Sequence, residues 1–508
     1  MSMIRSAGAL QISRMMIAAL SLLTGAIIAR ELGAAGLGQY GALLALAVFI
    51  QSVGSVGFED LVLAAAPKAG AESNASIELY RKTLQLRIGF FALMSLLGLV
   101  VGLLNFSSST FSSSSALGFA LVYAGANGIA TLGSIIQAAR ADALRASVLD
   151  AVWAGAVAAG CGVLGAAGAL TVEGAIALTS TVQVIVSCVY VWDLRVVLFG
   201  SSDRTSAHGV EVLFKARALM MFWLNGLLSF GAGKNVDVLV IGLFGATAQD
   251  IGLYSAAFAL YVMASQLPMQ GIGTMLYVGL GRTYAAGSRS KIALAWRSTV
   301  VISIFMTIPC MIFVGAFADS LLGAFYGSDL VEAAPILLLL AAFGVFARIG
   351  GGGSNQAILF LESRTHSVLY TRMGFVSLNI ILDVLLYKLI GIEGVAVATG
   401  VCGLLISITE YLLCRRDLPL QTPWWSGLSI SGLFVCSALV AAQVPLSGFW
   451  LKSLSFGVLF LSLGCILILL VKPLLKRDFE FITSSMERDA RMRRVLALVS
   501  RPPVSHHL

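Results

Sequence analysis

A few ionisable side chains lie inside long apolar segments of this sequence, and three of them are cations, Arg14, Lys234 and Arg348. At the centre of a membrane helix an ionisable group costs about 2.5–3.5 kcal/mol on insertion scales, so such groups usually face a water-filled interior. Arginine can hold an anion there through two parallel hydrogen bonds, and lysine through a compact point charge. The three cations therefore predict a cavity that binds an anionic ligand.

Three carboxylates accompany these cations. Asp237 follows Lys234 at a spacing that places both on one helix face, so the two could form a structural ion pair instead of a binding site. Glu59 and Asp60 lie at the end of the second apolar segment. They could pair with Arg14 or relay protons, and Asp60 could simply mark the membrane interface. All three acids are candidates for ion coupling or ion pairing.

Arg14 and Arg348 also have a structural interpretation. A long side chain near a helix end can bury its stem and extend its charge to the headgroups. Arg14 follows only a short apolar stretch, and Arg348 comes late in its own segment. However, Gly350-Gly351-Gly352-Gly353 follows Arg348 at once, and four glycines should interrupt the helix and expose backbone groups to a cavity. Interrupted spans are typical of transporter binding sites.

No catalytic or metal-binding pattern competes with these residues. The four histidines are His208, His366, His506 and His507. None lies near cysteines or carboxylates at ligand spacing, and the seven cysteines include no CxxC pair. A Walker-type lysine loop is absent too. We therefore predict a protein that is not an enzyme and that uses no cofactor or metal.

The elements that carry these residues are predicted from composition. The chain of 508 residues is 58% hydrophobic and 11% charged, whereas ordinary soluble domains are roughly 45–50% apolar and about 25% charged. A helix needs about 20 apolar residues to cross a bilayer. The predicted spans are 7–29, 39–57, 84–104, 116–138, 147–169, 174–194, 216–244, 252–279, 297–319, 333–353, 367–390, 393–414, 425–444 and 450–471. The fold class is therefore an all-α polytopic membrane protein of about fourteen transmembrane helices.

The charges between the spans predict the orientation. Lysine and arginine are concentrated in alternate loops and in the tail from Lys472, whereas the other loops contain only Arg30, Lys388 and Lys452. The positive-inside rule then places both termini in the cytoplasm, and we expect the membrane to be the inner (plasma) membrane. The residues assigned to inner loops include Arg81, Lys82, Arg87, Arg140, Arg145, Arg195, Arg289, Arg364 and Arg416. Because the net charge of +8 is spread over short loops, it does not indicate nucleic-acid binding.

An internal repeat divides the spans. Ser147-Val148-Leu149 and Val172-Glu173-Gly174-Ala175 match Ser367-Val368-Leu369 and Ile392-Glu393-Gly394-Val395 at one offset. Leu32-Gly33-Ala34 and Gly38-Gln39-Tyr40 match Phe244-Gly245-Ala246 and Gly252-Leu253-Tyr254 at a nearly equal offset. Six spans per repeat give both halves one orientation, related by an axis along the membrane normal, with a substrate site between them. The predicted domains are a first lobe 1–195, a linker 196–214, a second lobe 215–416, two additional helices 417–472 and a basic tail 473–508.

Three segments resemble bacterial polysaccharide-lipid flippases of the multidrug/oligosaccharidyl-lipid/polysaccharide exporter (MOP) superfamily. They are Ala29-Arg30-Glu31-Leu32-Gly33 with Gly38-Gln39-Tyr40, Asn235 to Gly242 with Gly252-Leu253-Tyr254, and Asn379 to Gly394. The resemblance, which covers roughly residues 5 to 415, implies two six-helix lobes around a cavity that opens alternately inward and outward. Relatives that flip pyrophosphate lipids carry an arginine on the helix of Arg14. Asp383 stands where many relatives have asparagine, so no role transfers to it.

The resemblance implies an undecaprenyl-pyrophosphate-linked oligosaccharide as cargo, moved from the cytoplasmic to the periplasmic leaflet for O-antigen or exopolysaccharide assembly. Its expected partners are that lipid-linked substrate, the bilayer and polysaccharide polymerase or assembly proteins. The alternatives are a peptidoglycan-precursor flippase, a multidrug exporter of the same superfamily and, from another class, a membrane polysaccharide polymerase or ligase. The short outer loops argue against the last, because such enzymes normally hold acceptor and donor in a sizeable periplasmic loop.

Overall fold

The computed structural model describes most of the chain. The described residues are 2–62, 73–104, 107–108, 112–140, 143–199, 216–231, 233–269, 280, 289–362, 364–443, 449–471, 474–475 and 500–501. Most of the predicted linker and tail, and residues 270–279 of one predicted span, lie outside them. The chain divides into two compact units, Met1–Ser255 and Ala256–Leu508.

The first unit is helical apart from one two-stranded ribbon among its described residues. Its helices are α1 (Ser2–Gly54), α2 (Asn74–Leu103), α3 (Ser114–Ala139), α4 (Ala143–Ala166), α5 (Val172–Asp193), α6 (Arg195–Phe199), α7 (Ala216–Gly231), α8 (Lys234–Leu243) and the first part of α9 (Ala248–Gln266). The strands β1 (Ser107–Ser108) and β2 (Ser112–Ser113) pair antiparallel between α2 and α3.

The second unit begins within α9 and is also helical. Its further helices are α10 (Arg289–Ala316), α11 (Ala318–Tyr326), α12 (Ala334–Ile349), α13 (Ser354–Leu361), α14 (Thr365–Ile390), α15 (Ile392–Arg415), α16 (Trp424–Ala442) and α17 (Phe449–Val471). Short 3-10 helices cover Leu267–Met269 and Ser328–Ala333, and β3 (Leu474–Leu475) pairs parallel with β4 (Ser500–Arg501).

The predicted fold class is confirmed. Among the described residues, 11 helices are long and apolar enough to cross a membrane. The first of these, Ser13–Gly54, covers most of two predicted spans, 7–29 and 39–57. Between them the helical geometry of α1 is interrupted at Gly33, where φ is +70°. Two shorter apolar stretches, Leu219–Leu228 and Ser455–Ile468, lie in two further predicted spans. The chain is therefore a multi-span α-helical membrane protein, and its division into six, six and two spans stays a prediction.

Small residues allow α2 and α3 to approach closely in the first unit. A Cβ atom on Gly98 would lie 2.6 Å from the carbonyl oxygen of Gly118. Such contacts are the usual way to pack helices in lipid, where apolar side chains gain little from leaving the solvent. Below this crossing, buried apolar side chains of α2, α3 and α6 form a common core, which includes Leu84, Leu132 and Val197.

A second close crossing joins the two copies of the repeat. A Cβ atom on Gly38 would overlap the carbonyl oxygen of Ala248, and one on Gly252 would overlap the carbonyl oxygen of Ala34. The two contacts are reciprocal, because each glycine faces the residue four positions before the other. At the preceding turns, Gly33 and Gly245 both adopt positive φ, +70° and +96°. We call this contact between α1 and α9 the glycine crossing.

We expect Gly38→Ala to destabilise the protein by about 1–3 kcal/mol, since the added methyl group must displace the backbone of α9. The matched control is Gly374→Ala in α14, where a Cβ atom would meet nothing within 4 Å. That substitution should be neutral or slightly stabilising, because alanine favours helix more than glycine does. Thermal unfolding of the detergent-purified variants measures both effects. Equal unfolding temperatures would contradict the glycine crossing.

Candidate functional site

Arg14 lies at the edge of a polar group formed by α1, α4 and α5. Its own side chain is exposed, while the hydroxyl of Ser13 donates a hydrogen bond to the carbonyl of Ser147 at 3.0 Å and fixes this part of α1 to α4. One turn further along α4, Asp150 is close enough for electrostatic attraction to Arg14. Asp150 also accepts a hydrogen bond from the Tyr190 hydroxyl at 3.2 Å. Arg14 is therefore both accessible and held next to a carboxylate.

Lys234 and Asp237 lie in the first turn of α8 but have different surroundings. Asp237 is buried and accepts a hydrogen bond from the Tyr254 hydroxyl at 2.5 Å, which joins α8 to α9. Lys234 is half-buried. In the part of the chain that the structure describes, Lys234 has no carboxylate within ion-pair distance. The alternative of an ion pair between Lys234 and Asp237 is therefore not seen in the structure.

Arg348 is held by backbone carbonyls of the second unit. One guanidinium nitrogen donates to the carbonyl of Ser265 at 2.7 Å, and the other to that of Gly352 at 3.4 Å. The predicted interruption is present, since α12 ends at Ile349 and α13 begins at Ser354. The arginine therefore connects the end of α9 to the glycine segment.

The glycine segment 350–353 is itself fixed in place. Gly351 and Gly353 adopt positive φ, +84° and +85°, which glycine tolerates without the steric cost of a Cβ atom. The side-chain amide of Asn355 donates to the Gly350 carbonyl at 2.9 Å, and its oxygen accepts from the Trp296 indole at 3.0 Å. Part of the backbone that the sequence predicted to face a cavity is consequently satisfied inside the protein.

Glu59 pairs with Arg87, a side chain that sequence reasoning assigned to a cytoplasmic loop. In the structure Arg87 lies inside α2 and its side chain is fully buried, so it is not a solvent-exposed loop residue. Its Nη2 atom contacts Glu59 Oε1, and its guanidinium lies 6.0 Å from the Phe90 ring. Against α3 it packs on Gly128, where a Cβ atom would be 3.0 Å from Nη1. The pair buries both charges and joins α2 to the short helical turn 58–62.

The next residue, Asp60, connects the same turn to α7 through Asn225. Burial raises the pKa of Asp60, and the hydrogen bond from Asn225 opposes this shift. Burial likewise raises the pKa of Glu59, and attraction to Arg87 opposes it. Two neighbouring carboxyl groups with raised pKa values, those of Glu59 and Asp60, therefore lie between α2 and α7.

Aromatic residues strengthen the attachment of α7 to the end of α1. The Trp223 indole donates to the Val53 carbonyl at 2.9 Å, and the rings of Phe49 and Phe230 are 5.4 Å apart. Together with Asp60 and Asn225 these residues form what we call the α1–α7 contact. It lies within the first unit and ties the end of the second predicted span to the start of the seventh.

Several charged groups inside predicted spans were not predicted as site residues, and three of them have informative surroundings. They are Arg87, Asp150 and Glu410, of which Glu410 in α15 is only 3% exposed and lies near Arg372. The sequence contained a signal for these groups, because the cost of placing an ionisable side chain in a membrane span, which pointed to Arg14, applies equally to them. The structure brings Arg14 close to Asp150 and Glu59 close to Arg87. Within the described residues no cluster of three histidine, cysteine or acidic side chains could hold a metal ion.

We expect Glu59→Gln to lower the free energy of unfolding by about 3–5 kcal/mol, since removing one partner leaves the buried Arg87 charge uncompensated. The control is Asp417→Asn, whose pair with Arg364 at 2.6 Å is solvent-exposed and should contribute only about 0–1 kcal/mol. Both are measured by thermal or denaturant unfolding in detergent. A loss in Glu59→Gln no larger than in the control would be inconsistent with a buried pair.

The raised pKa of Asp60 predicts a pH dependence of stability. The Asp60 carboxyl binds its proton more tightly in the folded state than in the unfolded state. Protonated Asp60 therefore stabilises the fold, and this contribution is complete below the unfolded pKa of about 3.9. It is lost as the pH rises through the folded pKa. We expect Asp60→Asn to reduce the decline of the unfolding temperature as the pH rises above about 4. An unchanged slope would show that Asp60 does not titrate differently in the folded state.

Comparison with known proteins supports the fold. No family model matches the sequence. The lipid II flippase MurJ in an inward closed conformation has a TM-score of 0.65, with 14% identity over 90% of this chain and 98% of that one. An inward-facing multidrug resistance MATE transporter of the MOP superfamily has a TM-score of 0.59, with 16% identity over 80% of this chain and 97% of that one.

One curated relative also matches, the probable low-salt glycan biosynthesis flippase Agl15 of Haloferax volcanii. It is 23% identical over 252 residues, which are 48% of this chain and 52% of that protein. The match thus spans about half of the relative's length. The predicted resemblance to flippases of the MOP superfamily is confirmed, and the chain has the fold of the MOP-superfamily transporters.

Proposed function

We propose that this protein flips an undecaprenyl-pyrophosphate-linked oligosaccharide from the cytoplasmic to the periplasmic leaflet of the inner membrane, for surface polysaccharide assembly. The observation that carries the proposal is the set of cations, Arg14, Lys234 and Arg348, on helices of a protein with a transporter fold. A curated glycan-biosynthesis flippase that matches half of the chain supports the glycan part of the cargo.

The cations suit the chemistry of that cargo. A pyrophosphate must lose water before it can cross the hydrocarbon layer, and fixed positive charges can replace part of its hydration. Arg14 is exposed and Lys234 has no carboxylate partner among the described residues. Arg348 already orients its guanidinium with two backbone carbonyls, so it loses less freedom on binding a phosphate. A neutral drug would need none of these charges.

Transport by alternating access requires contacts that can open. The α1–α7 contact is the best candidate, because it joins the two predicted lobes through a few aromatic rings and one carboxyl–amide pair. Protonation of Asp60 would change the charge at this contact, and protonation of the neighbouring Glu59 would change the charge beside Arg87. Either change could couple transport to a proton gradient. In the predicted orientation both termini are cytoplasmic, and a polysaccharide polymerase would receive the flipped lipid.

A second candidate is a flippase for the peptidoglycan precursor, which also carries a pyrophosphate. The lipid II flippase MurJ shares the fold over 98% of its own length, and the same cations would serve either headgroup. Neither cargo involves bond cleavage, so the protein would act as a transporter and not as a polymerase or ligase. The two candidates share the pyrophosphate and differ in the group attached to it.

We expect glutamine at Arg14, Lys234 or Arg348 to slow flipping of a fluorescent polyprenyl-pyrophosphate oligosaccharide in proteoliposomes by about tenfold or more. Loss of one charged hydrogen bond costs about 1.5–3 kcal/mol, and 1.4 kcal/mol corresponds to a factor of ten. The flipping rate of Arg14→Lys should lie between those of the wild type and Arg14→Gln, because lysine keeps the charge but loses the paired hydrogen bonds. Lys82→Gln is the control, since Lys82 is an exposed residue of α2.

Wild-type rates in all three folded variants would refute the cationic site. The same liposomes with lipid II in place of the oligosaccharide lipid separate the two cargoes, because the true substrate should be flipped faster. In cells, deletion of the gene should cause lipid-linked oligosaccharide to accumulate at the inner leaflet. Normal levels of that intermediate would refute the proposed function.

A further inference from the structure

An apolar groove on the first unit is lined by none of the three cations discussed above. It encloses about 670 Å³ between α2, α3, α5 and α6. Ile88 and Phe91 of α2, Ile129 of α3, and Val184 and Val191 of α5 form apolar walls. Its volume falls within the roughly 300–1,000 Å³ typical of ligand sites. The walls offer contacts to a hydrocarbon chain and almost no hydrogen-bonding groups.

One end of the groove carries a single positive charge. Arg195, the first residue of α6, is exposed, and its guanidinium carbon lies 4.5 Å from the centre of the Trp192 ring. One of its nitrogens donates to the Trp192 carbonyl at 2.9 Å. A guanidinium has five N–H donors, so most of them remain for a ligand. The indole and the carbonyl fix the arginine at the mouth of the groove.

The helix that carries Arg195 is anchored. The Nε atom of Arg81 in α2 donates to the Val197 carbonyl at 3.0 Å, and Val197 and Leu198 are buried. On the other side of α6, Val196 and Phe199 are 70% and 84% exposed. Large apolar side chains with that exposure, next to tryptophan and arginine, are typical of the boundary between headgroups and hydrocarbon. α6 therefore lies along the membrane interface.

We propose that this groove binds one anionic phospholipid of the cytoplasmic leaflet, with an acyl chain along the apolar walls and its phosphate on Arg195. Charge complementarity selects this occupant. Hydrocarbon chains alone gain little by moving from lipid to protein, so preference must come from the headgroup. A zwitterionic lipid balances its phosphate with its own cation, whereas phosphatidylglycerol offers an uncompensated negative charge to the arginine.

The first test measures thermal unfolding of the detergent-purified protein with added phosphatidylglycerol or phosphatidylcholine. We expect phosphatidylglycerol to raise the unfolding temperature several degrees more than phosphatidylcholine. Arg195→Gln should abolish that difference, while Arg416→Gln, an exposed arginine in the second unit, should retain it. Equal effects of the two lipids on the wild type would overturn the proposal. So would a full phosphatidylglycerol effect in Arg195→Gln.

The second test uses the protein's own cysteines and needs no substitution. Cys188 lines the groove and is exposed. Cys436 in α16 and Cys465 in α17 are also exposed, but they do not line the groove. Modification by a membrane-permeant maleimide is followed for each cysteine by peptide mass spectrometry. Phosphatidylglycerol should slow modification of Cys188 several-fold and leave the other two unchanged. Equal protection by phosphatidylcholine, or stronger protection by a polyprenyl phosphate, would overturn the assignment of the lipid.

Discussion

The bilayer supplies no water to an ionisable group, and this constraint shapes every charged contact of the membrane helices. Arg87 meets it by pairing with Glu59, Asp237 by accepting from Tyr254, and Arg348 by donating to two carbonyls. Each of these contacts joins two helical segments that are distant along the chain or separated by an interruption of the helix. The charges that the helices cannot avoid therefore also determine which helices stay together.

The helix frame was predictable because one physical length, the thickness of the hydrocarbon layer, sets the size of every span. Hydropathy located the 11 helices that are long enough to span, and α1 carries two predicted spans across a break at Gly33. It missed the division of the predicted span 216–244 into α7 and α8. The interruption after Arg348 was predictable for a similarly local reason, since four consecutive glycines cannot sustain a helix. Both features depend on short stretches of sequence alone.

The partners of the charged groups could not be predicted, because they depend on packing between segments. The sequence offered Arg14 as a partner for Glu59, but the side chain against it is Arg87, which charge counting had placed in a loop. Asn355 is another example. Its role in satisfying the Gly350 carbonyl and the Trp296 indole depends on the geometry of the break. Tertiary contacts of this kind leave no periodic signal.

Two kinds of contact hold the predicted lobes together within the first unit. The α1–α7 contact uses large rings and polar side chains, which must separate if the helices part. The glycine crossing instead packs backbone against backbone, with Gly38 against Ala248 and Gly252 against Ala34.

The glycine crossing has, within one chain, the reciprocity of a symmetric interface. Gly38 faces Ala248 and Gly252 faces Ala34. In the isologous interface of a homodimer, residue i meets residue j of the partner and j meets i in the same way. A homodimer would build both sides of such a contact from one encoded glycine. In this chain the two glycines are encoded separately, so a substitution at either one alone disturbs the close approach.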